Sequence, residues 1–498
     1  MKLIRVAVSV IMLALATLLF TATSAKIALA LNWVARIQIF PLAMAGAATS
    51  VAMWLAVTLL FGRIYCSSVC PLGIVQDIFS HFRRRNHRHP FHFSQPHNRL
   101  RYAILTIVIG GSMVGIGAIP SLLDPYSAFG RMASDLARPV TEFLGGAEVI
   151  TASWLAILIA VATLALVGWL SFRHGRIICN TICPVGSTLS ILSRYSLFHF
   201  DIDTDLCINC RKCERACKAE CVSMDDHVVD GSRCVACFNC VDACDSGAIR
   251  YTHRRKKLSL PLMQRIGNAA AAPFGSNNTE SPAVKDDAAG KQTSAKIKID
   301  RRQFLATGLI IAAAPALEVV ARGTKTARAL RQGTGQTSPM RPVAPPGRRS
   351  MEDFLDRCTG CGLCVAHCPQ KVLRPSAKDL GWLHMLHPVM DYDRSYCLYD
   401  CTLCTELCPT GALMPLTPDE KHIFIIGHAR VEPANCIGCG RCARQCPRNA
   451  ITMVPRPAST PGRGNRIPQV DTSLCIGCGS CQYVCPAPSK AIVIDGII

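Results

Sequence analysis

The sequence contains no G-x-G-x-x-G turn and no Walker phosphate loop, so it offers neither a dinucleotide site nor a nucleotide phosphate cradle. A free-standing enzyme acting on a small soluble metabolite is therefore not expected. Acidic residues are scarce, 33 against 54 Lys and Arg, which leaves a formal net charge of +21 over 498 residues. Such a surplus can serve nucleic acid. Here much of it sits in short segments beside apolar runs, where it sets membrane orientation, and no nucleic-acid partner is expected. Structural zinc usually takes two C-x2-C knuckles separated by a longer loop, and the fourfold recurrence of a compressed four-cysteine run ending in Cys-Pro argues against it here. A disulfide framework belongs to short secreted chains, and this one is long.

Cysteine is abundant, at 29 residues. Four compact runs fill the last third: Cys358/Cys361/Cys364/Cys368, Cys397/Cys401/Cys404/Cys408, Cys436/Cys439/Cys442/Cys446 and Cys475/Cys478/Cys481/Cys485. Three read C-x2-C-x2-C-x3-C-P, and the second carries one extra residue after its first cysteine. This is the bacterial ferredoxin pattern, in which three cysteines hold one 4Fe-4S cluster and the fourth reaches a neighbouring one. Four runs predict four clusters. Neighbouring runs could pair, or the outer two could pair around the inner two, with the same sixteen ligands.

Earlier in the chain, Cys207/Cys210/Cys213/Cys217 and Cys234/Cys237/Cys240/Cys244 form a small two-cluster ferredoxin. Cross-ligation predicts Cys207, Cys210, Cys213 and Cys244 on one cluster, and Cys234, Cys237, Cys240 and Cys217 on the other. Lys218 and Asp245 stand where proline is usual, and Cys221 is left over.

Half of the residues are hydrophobic, and long uncharged runs fill the first third. A bilayer needs roughly 20 residues of helix. Four segments qualify, near Val6 to Thr23, Ile39 to Phe61, Tyr102 to Ile119 and Ile150 to Leu170. The first could be a signal peptide, but it lacks a small-residue cleavage site and is read as an uncleaved helix. The His81 to Arg101 loop carries Arg83, Arg84, Arg85, Arg88, Arg99 and Arg101 with no acidic residue. The Ser121 to Glu148 loop is acidic by comparison, so both ends of the four-helix unit are expected to face the cytoplasm. His81, His87, His89, His92 and His97 are irregularly spaced and read as part of a solvated juxtamembrane anchor.

Two helix ends repeat one another: Gly62-Arg63-Ile64-Tyr65-Cys66 through Cys70-Pro71-Leu72-Gly73, and Gly175-Arg176-Ile177-Ile178-Cys179 through Cys183-Pro184-Val185-Gly186. The shared G-R-I-x-C-x3-C-P-x-G unit predicts a tandem pair of helical hairpins with four thiols converging near a pseudo-twofold axis. Cys66, Cys70, Cys179 and Cys183 are candidates for a redox or metal centre. Spacing alone does not separate a cluster from a dithiol/disulfide pair.

The expected fold is thus an α-helical membrane unit of four transmembrane helices (1–200) followed by small α+β ferredoxin-like cluster domains. These are a two-cluster domain (201–255) and a four-cluster array (351–498). Between them lie a flexible linker (256–300), a hydrophobic segment (301–322) and a Pro/Gly tether (323–350). The hydrophobic segment opens on Asp300-Arg301-Arg302-Gln303-Phe304-Leu305 and is followed by Ala327-Arg328-Ala329, which resembles a twin-arginine export signal.

Residues 1–255, with paired C-x3-C-P units and a two-cluster ferredoxin, resemble the NapH/MauN family of membrane ferredoxins. Residues 300–498 resemble the NapG/MauM family of four-cluster ferredoxins. Family members usually keep these halves on separate chains. The resemblance implies a multi-pass protein of the bacterial inner membrane that takes electrons from the quinol pool. The two-cluster domain would be cytoplasmic, and the array would be periplasmic and serve an unidentified redox protein. The alternative is a maturation or regulatory factor that reduces or senses a partner's metal site. A quinol site needs a proton acceptor; Asp124, Glu142, Glu148 and the histidines are available, although acidic loop residues are expected to be solvated. Loaded protein is expected to carry about 24 irons in its six ferredoxin-type clusters. Elemental analysis finding mainly zinc would overturn that reading.

Overall fold

The computed structural model describes residues 1–85, 91–144, 154–253 and 341–497. Met1–Thr252 and Gln336–Ile498 form one compact unit. The linker, the twin-arginine-like segment, most of the tether, His87, His89 and Glu148 lie outside the described residues.

The first part is helical: α1 (Lys2–Thr21), α2 (Ala25–Arg36), α3 (Ile39–Met44), α4 (Ala48–Phe61), α5 (Ile64–Ser68), α6 (Pro71–Arg85) and α7 (Asn98–Met113). It continues with α8 (Ala118–Leu123), α9 (Pro125–Met132), α10 (Arg138–Leu144), α11 (Trp154–His174), α12 (Ile177–Thr181) and α13 (Pro184–Ser193). Among the described residues, α1 and α11 are long and apolar enough to cross a membrane. The expected span from Ile39 to Phe61 is divided into α3 and α4 around Gly46, at φ 74°. The span from Tyr102 to Ile119 is divided into α7 and α8 around Gly115, at φ 79°. Glycine enters this left-handed region without a Cβ penalty and so ends a helix that apolarity alone would continue.

The two repeats are built alike. A long helix (α4 or α11) ends at a left-handed glycine, Gly62 or Gly175. One helical turn (α5 or α12) carries the first cysteine, and a helix with proline at its first position (α6 or α13) follows the second. The repeats are interleaved, with α6 packed along α11 and α13 along α4.

The cysteine-rich parts are held by two-stranded ribbons. In the two-cluster domain β1 (Phe198–Ile202) pairs with β4 (Ile249–His253), and β2 (Val222–Ser223) with β3 (Val228–Val229). In the array, three antiparallel pairs form: β5 (Leu373–Pro375) with β6 (Pro388–Met390), β7 (Gly427–Val431) with β10 (Ile492–Gly496), and β8 (Ile451–Pro455) with β9 (Arg466–Val470). Ribbons this small are marginal alone, so the runs packed between them supply the core.

Both cysteine-rich parts dock on the helical unit, at opposite ends of α1. At its start, Lys2 Nζ lies 2.6 Å from Asp242 of the two-cluster domain. At its end, the Leu19 carbonyl meets His367 Nε2 of the array at 2.6 Å, and Phe20 packs on Tyr126 and Phe129. The array is held further by Asn32 Nδ2 donating to the Glu406 carbonyl (2.8 Å), by Ser127 with Thr359 (2.9 Å) and by Lys371 with Glu142 (2.9 Å).

The two-cluster domain is fixed by a buried charge network. Asp77 of α6 pairs with Arg176 (2.6 Å), Arg5 (3.1 Å) and Lys218. Lys218 is the residue that replaces the usual proline after Cys217, and its carbonyl accepts from the Arg176 backbone at 2.8 Å. Burial alone would raise the Asp77 carboxyl, but Arg176 and Lys218 outweigh it and hold the group well below the usual carboxylate range. A folded pKa below the unfolded one means that the stabilisation is complete above the ordinary carboxylate range and is lost as pH falls through the folded value. Asp77→Asn leaves three cations around a neutral amide and should cost roughly 3–5 kcal/mol. Thermal unfolding in detergent at neutral pH checks this; an unchanged transition would remove the network from the stabilising interactions.

Candidate metal centres

The ferredoxin loops share a backbone signature. In five of the six runs, the residue before the second cysteine and the residue after it both have positive φ. In the array these are glycine pairs: Gly360 and Gly362, Gly438 and Gly440, Gly477 and Gly479. In the two-cluster domain they are Asn209 and Arg211, and Ala236 and Phe238. Left-handed turns of this kind direct successive backbone N–H groups toward one point, which suits a sulfur-rich anionic group. The second array run breaks the pattern: Thr402, after Cys401, has φ −110°. There Lys421, almost wholly buried, donates to Cys397 Sγ at 3.4 Å, to the Leu398 carbonyl at 2.6 Å and to the Cys401 carbonyl. A side-chain cation thus stands where the other loops present backbone donors. Nothing near the run signals Lys421, because it lies 24 residues from Cys397.

The runs converge in pairs. Cys358, Cys361 and Cys364 come together with Cys408 of the next run. Cys397, Cys401 and Cys404 come together with Cys368. Cys475, Cys478 and Cys481 gather with Cys446, and Cys436, Cys439 and Cys442 gather with Cys485 packed beside them. Neighbouring runs therefore pair, and the outer runs do not enclose the inner ones. The two pairs abut where the Cys397 backbone donates to the Cys478 carbonyl at 2.9 Å. The Cys361 carbonyl faces Gly130 of α9, where a Cβ would approach it to 2.6 Å.

In the two-cluster domain, Cys207 and Cys213 lie with Cys244, and exposed Cys210 belongs to the same loop. Cys234, Cys237 and Cys240 lie with Cys217. The leftover Cys221 is buried beside this second set, with its sulfur 3.5 Å from that of Cys217. That hydrogen bond, acting against burial, brings the Cys217 thiol down to about 7.

The four thiols of the repeats also meet. Cys66, Cys70, Cys179 and Cys183 are all buried and near enough for their charges to act on one another. Each motif position has a reason. Arg63 crosses to the second repeat, donating to the Cys179 carbonyl (2.8 Å) and Asn180 Oδ1 (2.7 Å). Arg176 crosses the other way, to the Cys66 carbonyl at 2.5 Å. A Cβ on the closing glycine would lie 2.3 Å from the Cys66 carbonyl at Gly73 and 2.1 Å from the Cys179 carbonyl at Gly186, so only glycine fits. The repeat made the cysteines visible in the sequence. It also displayed the arginines, whose reciprocal roles only the interleaved packing reveals.

The acidic residues of the Ser121 to Glu148 loop are not solvated as expected. Asp124 is fully buried as the cap of α9, accepting from Ser127 N (2.9 Å) and Ser127 Oγ (2.6 Å), and burial pushes its carboxyl up to about 6. Glu142 is buried between Arg138 (2.8 Å) and Lys371 (2.9 Å). Lys371 of the array caps Glu142, and Thr359 of the array bonds Ser127 beside Asp124, which a reading of the loop alone cannot anticipate. Of the basic-loop histidines, His81 is exposed, in keeping with a solvated segment.

Comparison with known proteins agrees with the donor chemistry. A family described as a 4Fe-4S dicluster domain matches residues 357–412 and 435–488, and a second dicluster family matches 230–372. A 4Fe-4S binding domain family matches 43–89 and 152–203, the two halves that carry the repeated unit. An uncharacterized protein of Methanocaldococcus jannaschii is 26% identical over 213 residues, 41% of this chain and 71% of its own. The ferredoxin-type protein NapH of Haemophilus influenzae is 27% identical over 223 residues, 43% of this chain and 69% of its own. The methylamine utilization ferredoxin-type protein MauM of Paracoccus denitrificans is 31% identical over 183 residues, 35% of this chain and 78% of its own. No solved structure matches the chain. With thiols gathered in fours and relatives of both kinds, the chain belongs to the NapH/MauM-type ferredoxin family and is an iron-sulfur electron-transfer polyferredoxin.

Proposed function

We propose that this polyferredoxin carries electrons from the membrane quinol pool to a redox protein on the outer side of the bacterial inner membrane. The observation that supports it best is the serial order of the thiol groups. The Cys358 set abuts α9 of the helical unit, the Cys397 set shares its run pair, and the Cys475 and Cys436 sets follow through the Cys397 to Cys478 hydrogen bond. In each set the cysteines would hold one 4Fe-4S cluster, which supplies single-electron carriage when bound. The 24 ligands would be Cys207, Cys210, Cys213 with Cys244; Cys234, Cys237, Cys240 with Cys217; and the four array sets described above.

The protein's own residues shape the path. The left-handed loops aim N–H groups at the thiols, and Lys421 adds a positive charge at Cys397. Hydrogen bonds and charge near sulfur favour the more reduced state. At the other end of α1, the Asp77 network keeps the two-cluster domain against the repeat thiols.

Topology follows the same reading. With α1 about 30 Å long, two docking surfaces at its ends match the two faces of a bilayer. The two-cluster domain would face the cytoplasm, where the basic loop holds it, and the array would face outward after export through the twin-arginine-like segment. Four crossings would then use α4 and α7 together with α1 and α11.

Two measurements test this. A quinol analogue added to cluster-loaded protein should bleach the iron-sulfur absorption; no bleaching would end the quinol assignment. Protease added to spheroplasts should degrade residues 351–498 in the native chain and spare them when Arg301→Lys and Arg302→Lys are combined. Protection of the native array would place all clusters on one side and exclude an outer partner.

A further inference from the structure

Around Cys66, Cys70, Cys179 and Cys183 the protein has collected more buried positive charge than it neutralises. Arg63 and Arg176 are both fully buried. Arg176 shares the single carboxylate of Asp77 with Arg5 and Lys218, so that network keeps a positive surplus. Arg63 has no carboxylate partner among the described residues; its contacts are Asn180 Oδ1, two carbonyls and Cys66 Sγ at 3.8 Å. Arg63 Nε and Arg176 Nη2 are buried with no hydrogen-bond partner. An uncompensated guanidinium in the interior is costly, and four neutral thiols or two disulfides would leave the cost standing.

The sulfurs are equally prepared. Each has a donor, and the donors repeat in kind. Cys66 receives Arg63 at 3.8 Å and Cys179 receives Gln76 Nε2 at 3.3 Å, both from side chains. Cys183 receives the Gly186 backbone N–H at 3.3 Å, and Cys70 receives that of Gly73. Four donors on four sulfurs suit thiolates rather than thiols. Each repeat supplies only two cysteines, so neither can enclose a metal group alone.

We infer that Cys66, Cys70, Cys179 and Cys183 together hold one further 4Fe-4S cluster, shared between the repeats, with Arg63 and Arg176 as its fixed counter-charges. Four thiolates around a cluster carry net negative charge, which supplies what the two arginines lack. A match to a 4Fe-4S binding domain family over both halves of the repeat favours iron and sulfide over a single zinc ion. The site touches the two-cluster domain directly, through Arg63 donating to the Ser232 carbonyl at 3.2 Å and Asn180 to the Ala219 carbonyl at 3.4 Å. On its other flank lies buried Tyr65, within charge range of Cys66, Cys70 and Asp124; Asp124 in turn lies within range of Cys361. The shared cluster would therefore stand between the two ferredoxin parts. This extends the electron-relay reading, although the cluster's existence does not depend on quinol.

Iron counting on the full chain in detergent tests the inference. The native protein should carry about 28 irons, against about 24 if only the ferredoxin runs are loaded. Cys66→Ser and Cys179→Ser should each lose about four irons, and the double variant should lose the same four, not eight. Retention of the remaining iron-sulfur signals reports that the variants have folded; if they do not, the native count decides. Arg63→Gln should keep the iron but lower the midpoint potential of one signal in a redox titration, and Arg63→Lys should partly restore it. A native count of 24 irons, or 24 with one zinc, overturns the inference. Additive losses in the double variant would mean two separate sites and overturn the shared cluster. Failure of quinol to bleach a protein with 28 irons would end the quinol reading and leave this one standing.

Discussion

Each fully gathered ferredoxin set takes its fourth sulfur from a different run, and the set at the repeats takes two sulfurs from each. In this arrangement no run gathers a set of four thiols by itself. The ribbons β5–β6, β7–β10 and β8–β9 bring neighbouring runs face to face, and the interleaving of α6 on α11 and α13 on α4 does the same for the repeats. Electron transfer needs groups in close sequence, and the exchange of fourth thiols between runs provides this: the run that completes one set also begins its neighbour.

The same demand explains the charges. An anionic group in a low-dielectric interior needs cations or aligned N–H donors, and the chain uses each where the local backbone permits. Five ferredoxin loops use left-handed turns. The second array run, with its extra residue, uses Lys421, and the repeats use two crossing arginines. Asp77 is the carboxylate that lets Arg176, Arg5 and Lys218 coexist, and it is why lysine rather than proline follows Cys217.

Much of this was legible in the sequence where the information is local. Cysteine spacing marked the runs, and the grouping of Cys244 with the first run and Cys217 with the second is the one that spacing suggested, because the two runs are adjacent. Pairing in the array was not legible, since adjacent and nested schemes use identical ligands and differ only in how ribbons stack. The expected spans over Ile39 to Phe61 and Tyr102 to Ile119 were longer than the helices because hydropathy does not register the left-handed turns at Gly46 and Gly115. Asp124 and Glu142 looked like solvated loop residues because the array side chains that meet this region, Thr359 at Ser127 and Lys371 at Glu142, lie more than 200 positions away.

The glycines of the array loops, set against Asn209, Arg211, Ala236 and Phe238 in the two-cluster domain, bear on how the protein matures. Left-handed backbone is nearly free for glycine but strained for residues with a Cβ, by roughly 1 kcal/mol or more each. The three glycine-paired array loops can thus rest in this left-handed shape before iron arrives, whereas those of the two-cluster domain must be held there by what they bind and by their dock on the helices. Apo-protein would then present acceptors of unequal readiness to the machinery that delivers clusters: three preshaped glycine loops in the array, and a domain whose loops settle only once it is seated on the helical unit.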